Sequence, residues 1–284
     1  MTRLVESDVR ELTAHLNEVQ AALEHLTGCD LVGLAARACG VGEGLARDAL
    51  AHAAIAAVPV TSGEGVISGF SDCVVAICRQ LGCRSATITG ETDLAGFAEA
   101  VRAQADLVFA ADDRRFLAFA LARGAVADDD PCTAAAYVAA LDAAVEHRHE
   151  HFAGGVAGRQ VLLIGLGPVG RAAAARLVAL GAEVLVAELD QARLAAVVTE
   201  LPVTPVTLDE GLRRTRLVLD ATPTPDLIGV DWVGDDGIVA APGLPPGVTA
   251  AAATALGERL VHEPLALGVA AMAVQALVAP SSGR

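Results

Sequence analysis

The chain has no lysine; all 20 of its basic residues are arginine. That absence excludes any mechanism built on a protein-derived Schiff base, and with it pyridoxal chemistry on a lysine. It also excludes a phosphate-binding loop closed by lysine, and amino-acid dehydrogenases whose catalysis depends on one. Positive charge is scarce altogether: 20 basic residues stand against 35 acidic ones, a net charge of −15. Such a chain offers no basic face to a nucleic-acid backbone, so no nucleic-acid partner is expected. The same field suits a cationic small substrate. Aromatic residues make up only 3%, which leaves Ala, Val, Leu and Gly to form a core of helices packed closely on sheets. The six cysteines, Cys29, Cys39, Cys73, Cys78, Cys83 and Cys132, form no CxxC pair. They are expected as buried free thiols in a reducing cytoplasm, and no metal site is expected. Long apolar runs are missing too. Leu265–Pro280 falls short of the ~20 residues that span a bilayer, and Met1–Glu6 has no apolar signal core, so no membrane association is expected.

What is present points to an α/β protein. At 284 residues, with domains of roughly 100–200 residues each, two domains are expected. Val9, Leu12, Leu16, Val19, Leu23 and Leu26 place one apolar stripe on a helix that Ser7 caps and Gly28 ends. Helices over 30–38 and 45–56 complete an N-terminal helical segment, residues 1–56. Residues 57–153 alternate strand (58–60), helix (to about 81), strand (85–89), helix (94–103) and strand (106–111). A long helix then opens at Pro131 and runs to about His151. This alternation reads as a small α/β substrate domain with a parallel sheet. After the glycines of 154–158, residues 159–284 read as a Rossmann NAD-binding domain. Its strands fall at 161–164, 184–187, near 203, and at 217–219, 238–240 and 259–261. The last helix, about 266–278, is expected to pack back on the first domain.

The motif that carries most chemistry is Gly165-Leu166-Gly167-Pro168-Val169-Gly170, set between an apolar strand and an Ala-rich helix. Gly165 makes the tight turn, Gly167 lets a pyrophosphate approach the backbone, and Gly170 lets helix and strand pack closely. The helix N-terminus adds N–H groups and partial positive charge. Glu188 ends the next strand, where an acid meets the ribose 2′-hydroxyl and would repel a 2′-phosphate, so NAD is favoured over NADP. Thr222-Pro223, Pro242-Gly243 and His262-Glu263-Pro264 follow later strands, at the edge where a Rossmann sheet binds its ligands; Glu263 is a candidate site acid. In the first α/β unit, Ser62 and Asp112 lie just past strand C-termini, where a carboxylate could hold an ammonium group. Glu146-His147-Arg148-His149-Glu150-His151 has an i,i+4 histidine pair but no separate third ligand, and reads as a solvated helix end.

Over most of its length the chain resembles the pyrrolysine synthase family. The resemblance is carried by Val58-Pro59-Val60-Thr61-Ser62-Gly63-Glu64-Gly65-Val66-Ile67, by Ala111-Asp112-Asp113 with Phe116-Leu117-Ala118, and by Pro131-Cys132-Thr133. It continues through Val161 to Gly170, Ala221-Thr222-Pro223, Pro242-Gly243 and Glu263-Pro264-Leu265. It implies NAD-dependent oxidation of the terminal amine of L-lysine-Nε-3R-methyl-D-ornithine, followed by intramolecular ring closure with loss of ammonia. By the same resemblance Asp112 pairs with a substrate ammonium, Ser62 hydrogen-bonds substrate, and Leu4 closes over it. Pro168, Val169 and Glu188 contact NAD, with Thr222, Pro223 and Glu263 in the same site. Asp129 stands where the family carries an amide, which puts a carboxylate among the candidate catalytic residues beside Ser62 and Asp112. A homodimer is compatible with this reading. Two other readings fit the motifs: a related NAD-dependent dehydrogenase of another diamine or amino acid, and an NAD-binding sensor without turnover.

Overall fold

Short apolar runs separated by glycine turns organise the chain into two sheets. The computed structural model describes residues 6–278 except 64, 67, 68 and 149–153, and only the backbone of residues 6–14. Leu4 lies outside the described residues, as do 149–151 of the histidine-rich segment. Three helices come first: α1 (Glu6–Thr27), α2 (Leu31–Cys39) and α3 (Glu43–His52). Asp30 starts α2 by accepting the Gly33 N–H at 2.8 Å, and Gly40 ends it at φ 66°, where a left-handed residue is needed.

The first sheet contains β1 (Ala54–Val58), β2 (Ser85–Ile88), β3 (Leu107–Ala111), β4 (Phe116–Ala120) and β5 (Ala125–Asp128). Helices α4 (Phe70–Gln80) and α5 (Asp93–Arg102) make its crossovers. The strand order is β2-β1-β3-β4-β5. Only β1, β2 and β3 are parallel; β4 and β5 are antiparallel, so the sheet expected as parallel is mixed. The reason lies in the link from β3 to β4. The Asp112 carboxylate accepts the N–H groups of Arg114 and Arg115, both at 2.8 Å, and the Asp112 N–H bonds the Arg115 carbonyl at 2.9 Å. So tight a turn cannot carry a parallel crossover.

The first strand also differs from expectation. The helix read as reaching residue 56 ends at His52, and the strand read at 58–60 is 54–58. Alanine favours helix, which misleads over this run. Here Ile55 is wedged between Ala86 of β2 and Leu107 of β3, and burial on both flanks overrides propensity.

After α6 (Asp129–Arg148), the second sheet contains β6 (Gln160–Ile164), β7 (Glu183–Ala187), β8 (Thr204–Pro205), β9 (Leu217–Asp220), β10 (Ile238–Ala240) and β11 (Leu260–Val261). Between them lie α7 (Pro168–Ala179), α8 (Gln191–Glu200), α9 (Leu208–Arg214), α10 (Val230–Val233) and α11 (Ala250–Leu256). The order is β11-β10-β9-β6-β7-β8, with every pair parallel. This is the doubly wound Rossmann order, with its switch point between β6 and β9. The closing helix, α12 (Ala266–Val278), is apolar on nearly every face and packs on α2, α3, α4 and α6 and against β4 and β5. Helix α6 touches α1, α2, α7 and α12 and so joins the two sheets. Asp142 of α6 pins the glycine linker by accepting the Val156 N–H at 2.8 Å, and its other oxygen holds Arg37 of α2 at 2.6 Å. Among the described residues, no helix is long and apolar enough to cross a membrane.

Candidate active site

The C-terminal edges of both sheets open onto one cleft of about 1010 Å³. One end is the β6–α7 turn. Gly165 sits at φ +84°, and a Cβ there would stand 2.5 Å from the Thr222 methyl. A Cβ on Gly170 would stand 2.1 Å from the Gly165 carbonyl, so backbone meets backbone with no room for a side chain. At Gly167 a Cβ would meet nothing within 4 Å: that face is open to the cleft. Gly167 caps α7 without a side-chain bond, leaving the helix N-terminus to an anion. These features fit a dinucleotide pyrophosphate.

Glu188 follows β7 and is held by two backbone donors, Leu166 N–H at 2.6 Å to one oxygen and Asp190 N–H at 2.9 Å to the other. That places the carboxylate beside the glycine turn, as a ribose contact requires. Arg193, also on the cleft wall, leans on Asp190 at 3.4 Å. Asp220, fully buried at the end of β9, ties the opposite wall together. One oxygen accepts the Thr222 hydroxyl (2.7 Å) and N–H (3.1 Å), and the other accepts the Gly247 N–H at 2.8 Å. Burial raises its pKa from the ordinary value. Sequence reading marked the segment after β9 but missed this structural part for its acid.

At the other end the first sheet and its β3–β4 turn contribute Asp112, Asp113 and Phe116, α4 contributes Phe70, and α6 contributes Asp129 and Thr133. Phe70 and Phe116 meet edge to face, 5.2 Å between centroids, and form an apolar wall beside the carboxylates. The two acids of interest sit in opposite environments. Asp112 is solvated, and the N–H groups of Arg114 and Arg115 hold its pKa below the usual value. Asp129 is only 9% exposed, and burial pushes its pKa up to about 6.

Of the residues expected in the site, Asp112, Asp129, Gly165, Gly167, Pro168, Val169, Glu188, Thr222 and Pro223 line this cleft. Leu166 and Gly170 do not; they shape the turn from behind through backbone contacts. Ser62 is exposed on the loop after β1 and is not among the lining residues. Glu263, expected beside the cofactor, is turned away from it. Its fully buried carboxylate accepts the Leu265 N–H at 3.1 Å and the Leu267 N–H at 3.0 Å. It caps α12, whose first N–H groups need an acceptor. Burial pushes its pKa up to about 7. Tyr137 of α6 fixes the same residue by accepting the Glu263 N–H at 2.9 Å and donating to the Glu263 carbonyl. Glu146 pairs with Arg37 at 2.6 Å, so the described part of the histidine-rich segment is a helix end held by an ion pair.

The Rossmann order, the glycine turn and the acid after β7 define an NAD-dependent dehydrogenase. Residues 116–228 match the family model of the D-isomer specific 2-hydroxyacid dehydrogenase NAD binding domain. Residues 8–127 match that of the pyrrolysine biosynthesis protein PylD N-terminal domain. The chain is 32% identical to a pyrrolysine synthase of Methanosarcina acetivorans, over 96% of this chain and 98% of that one. It is 28% identical to one from Methanosarcina barkeri, over 96% and 97%. The chain therefore belongs to the pyrrolysine synthase family. In fold it is similar to shikimate 5-dehydrogenase from Thermus thermophilus, solved with NADP(H) and shikimate (TM-score 0.51, 16% identity, 79% of this chain and 93% of that one). It is similar likewise to shikimate dehydrogenase from Aquifex aeolicus (TM-score 0.50, 12% identity, 81% and 94%).

Proposed function

We propose that the chain oxidises the terminal amine of L-lysine-Nε-3R-methyl-D-ornithine with NAD, and that the product cyclises to pyrrolysine. The charge distribution of the cleft carries this reading. Asp112, Asp113 and Asp129 line the substrate end, and among the described lining residues the one cationic side chain, Arg193, lies on the cofactor side. A substrate with several ammonium groups is drawn to that end and a carboxylate-only substrate is repelled. Bound NAD supplies the hydride acceptor. The chain holds it with the open face of Gly167, the N-terminus of α7, Glu188 and the Thr222-Pro223 wall. Asp112, kept ionised by its two backbone donors, pairs with a substrate ammonium. Ser62, on the neighbouring loop, hydrogen-bonds substrate at the mouth of the cleft. Phe70 and Phe116 keep water from the reacting carbon. Once the amine is oxidised to the imine, the ornithine α-amine attacks it within the same molecule, and loss of ammonia leaves a five-membered ring. Effective molarities of about 10⁵ M or more make such closures a matter of positioning. The six cysteines of the chain are free, in keeping with work in a reducing cytoplasm. The test is NADH absorbance with product mass on mixing protein, NAD and the synthetic dipeptide. NADH without the pyrrolysine mass, or NADH only from other diamines in a parallel panel, would overturn this assignment.

A further inference from the structure

We propose that Asp129 is the group that takes the proton from the reacting ammonium; this rests on the functional reading above. Asp129 opens α6 and lines the cleft while remaining almost entirely buried. One turn on, the Thr133 hydroxyl donates to its Oδ1 at 2.9 Å. Helix α12 closes the same side: a Cβ on Gly268 would stand 2.8 Å from that oxygen and 2.5 Å from the Thr133 hydroxyl oxygen. The carboxylate is thus clamped by one oxygen between Thr133 and α12. A clamped base loses little entropy when it meets its proton.

The surroundings set its basicity. Burial raises the pKa to about 6, and Asp128 and Asp130 on either side add to that, against the Thr133 bond, which lowers it. Along α6 the facing titratable groups are Cys132 and Tyr137, both pushed up by burial and so neutral across this range. On α12 the facing residue is Gly268, which does not titrate. A base with its pKa near the working pH is ionised yet still basic enough to accept a proton. Asp112 is the opposite: its pKa is held low, which suits a permanent ion partner and not a base.

An alkylammonium has no lone pair to form a C=N bond. Transfer of one N–H proton to Asp129 frees that pair. Bound NAD would accept the hydride from the adjacent C–H bond, and the freed lone pair would form the new π bond. The products are an iminium, NADH and a neutral Asp129 carboxyl, so charge and atoms balance. The carboxyl returns its proton to water before the next turnover.

The experiment compares wild type with Asp129→Asn, whose amide oxygen still accepts the Thr133 bond. NADH formation is followed over about pH 5–8, and NADH binding by fluorescence. Expected for wild type is a kcat/KM that falls about tenfold per pH unit below about pH 6. Expected for D129N is a kcat at least ~100-fold lower, no such acid limb, and unchanged NADH affinity. Wild-type turnover with an equal rate and the same limb in D129N overturns Asp129 alone. Absence of NADH from wild type with the dipeptide removes the functional reading, and the proton acceptor with it.

Discussion

The two ends of the cleft are built by different means. The cofactor end is local: Gly165, Gly167 and Gly170 lie within one turn, and Glu188 comes from the next strand. The substrate end is assembled from afar. Asp112 comes from a turn of the first sheet, Asp129 from the start of α6, and the wall behind Asp129 from Gly268, near the C-terminus. The first kind of site survives wherever its backbone is preserved. The second depends on how α6 and α12 lie against one another, and so on Tyr137 and Glu263, which pin the start of α12. Chemistry that must hold a charge with little reorganisation gains from that long-range clamp.

The contrast can be broken at either end. The largest effect is expected from Gly170→Ala. Its Cβ would stand 2.1 Å from a backbone oxygen, so either β6 or α7 must move. Overpacking of this kind costs about 3 kcal/mol, read as a lower denaturant midpoint, with NAD affinity lost alongside. Gly167→Ala, next to open space, should keep the midpoint and lose affinity only.

Glu263 gives an effect of similar size through pH. Its pKa is about 7 in the fold against an ordinary 4.5, so between those values the native state holds a proton that the unfolded chain has released. Stability therefore falls as pH rises from about 4.5 to about 7, by about 3 kcal/mol at ~1.4 kcal/mol per pH unit. Asp129 adds a slope of the same sign between about 3.8 and about 6. Urea midpoints across that range should show the decline, and Glu263→Gln should flatten it. A slope unchanged in the variant would mean that another group titrates there.

At the substrate end, Asp112→Asn should raise KM for the amine about 10- to 100-fold, the usual loss for a hydrogen bond to a charged group, with NADH affinity unchanged. Loss of NADH affinity instead would place Asp112 at the wrong end. The smallest effect is expected from Glu188→Gln. It should weaken NAD binding about tenfold and narrow the preference over NADP, measured by fluorescence titration with each cofactor.

The same contrast explains what the sequence disclosed. The glycine turn, Glu188 and the Rossmann strands were legible because each rests on short-range spacing. The antiparallel β4 and β5 were not read, although Phe116–Ala120 alternates buried and half-buried residues. The turn that reverses the chain there is made by Asp112, an acid that the sequence offers equally as an ammonium partner or as a turn residue, with nothing local to say that the chain reverses. Ala54–Val58 was lost to the helix preference of alanine, which nothing local corrects. Glu263 reads in the sequence as a candidate site acid, and in the fold its carboxylate caps α12. A buried acid just before a helix can serve that helix or a ligand, and only the Leu265 and Leu267 N–H groups decide between them. Asp129 was named as an acid in the site, but its burial under Gly268, some 140 positions on, was beyond any local pattern.

The proposed reaction turns a primary amine, held in an acidic cleft beside bound NAD, into a ring with loss of ammonia. The most direct measurement is the stoichiometry of a single reaction with L-lysine-Nε-3R-methyl-D-ornithine. NADH, free ammonia and the product identified by mass are counted together. One NADH and one ammonia are expected for each pyrrolysine formed. NADH without ammonia, or ammonia without the ring, would contradict the proposed reaction.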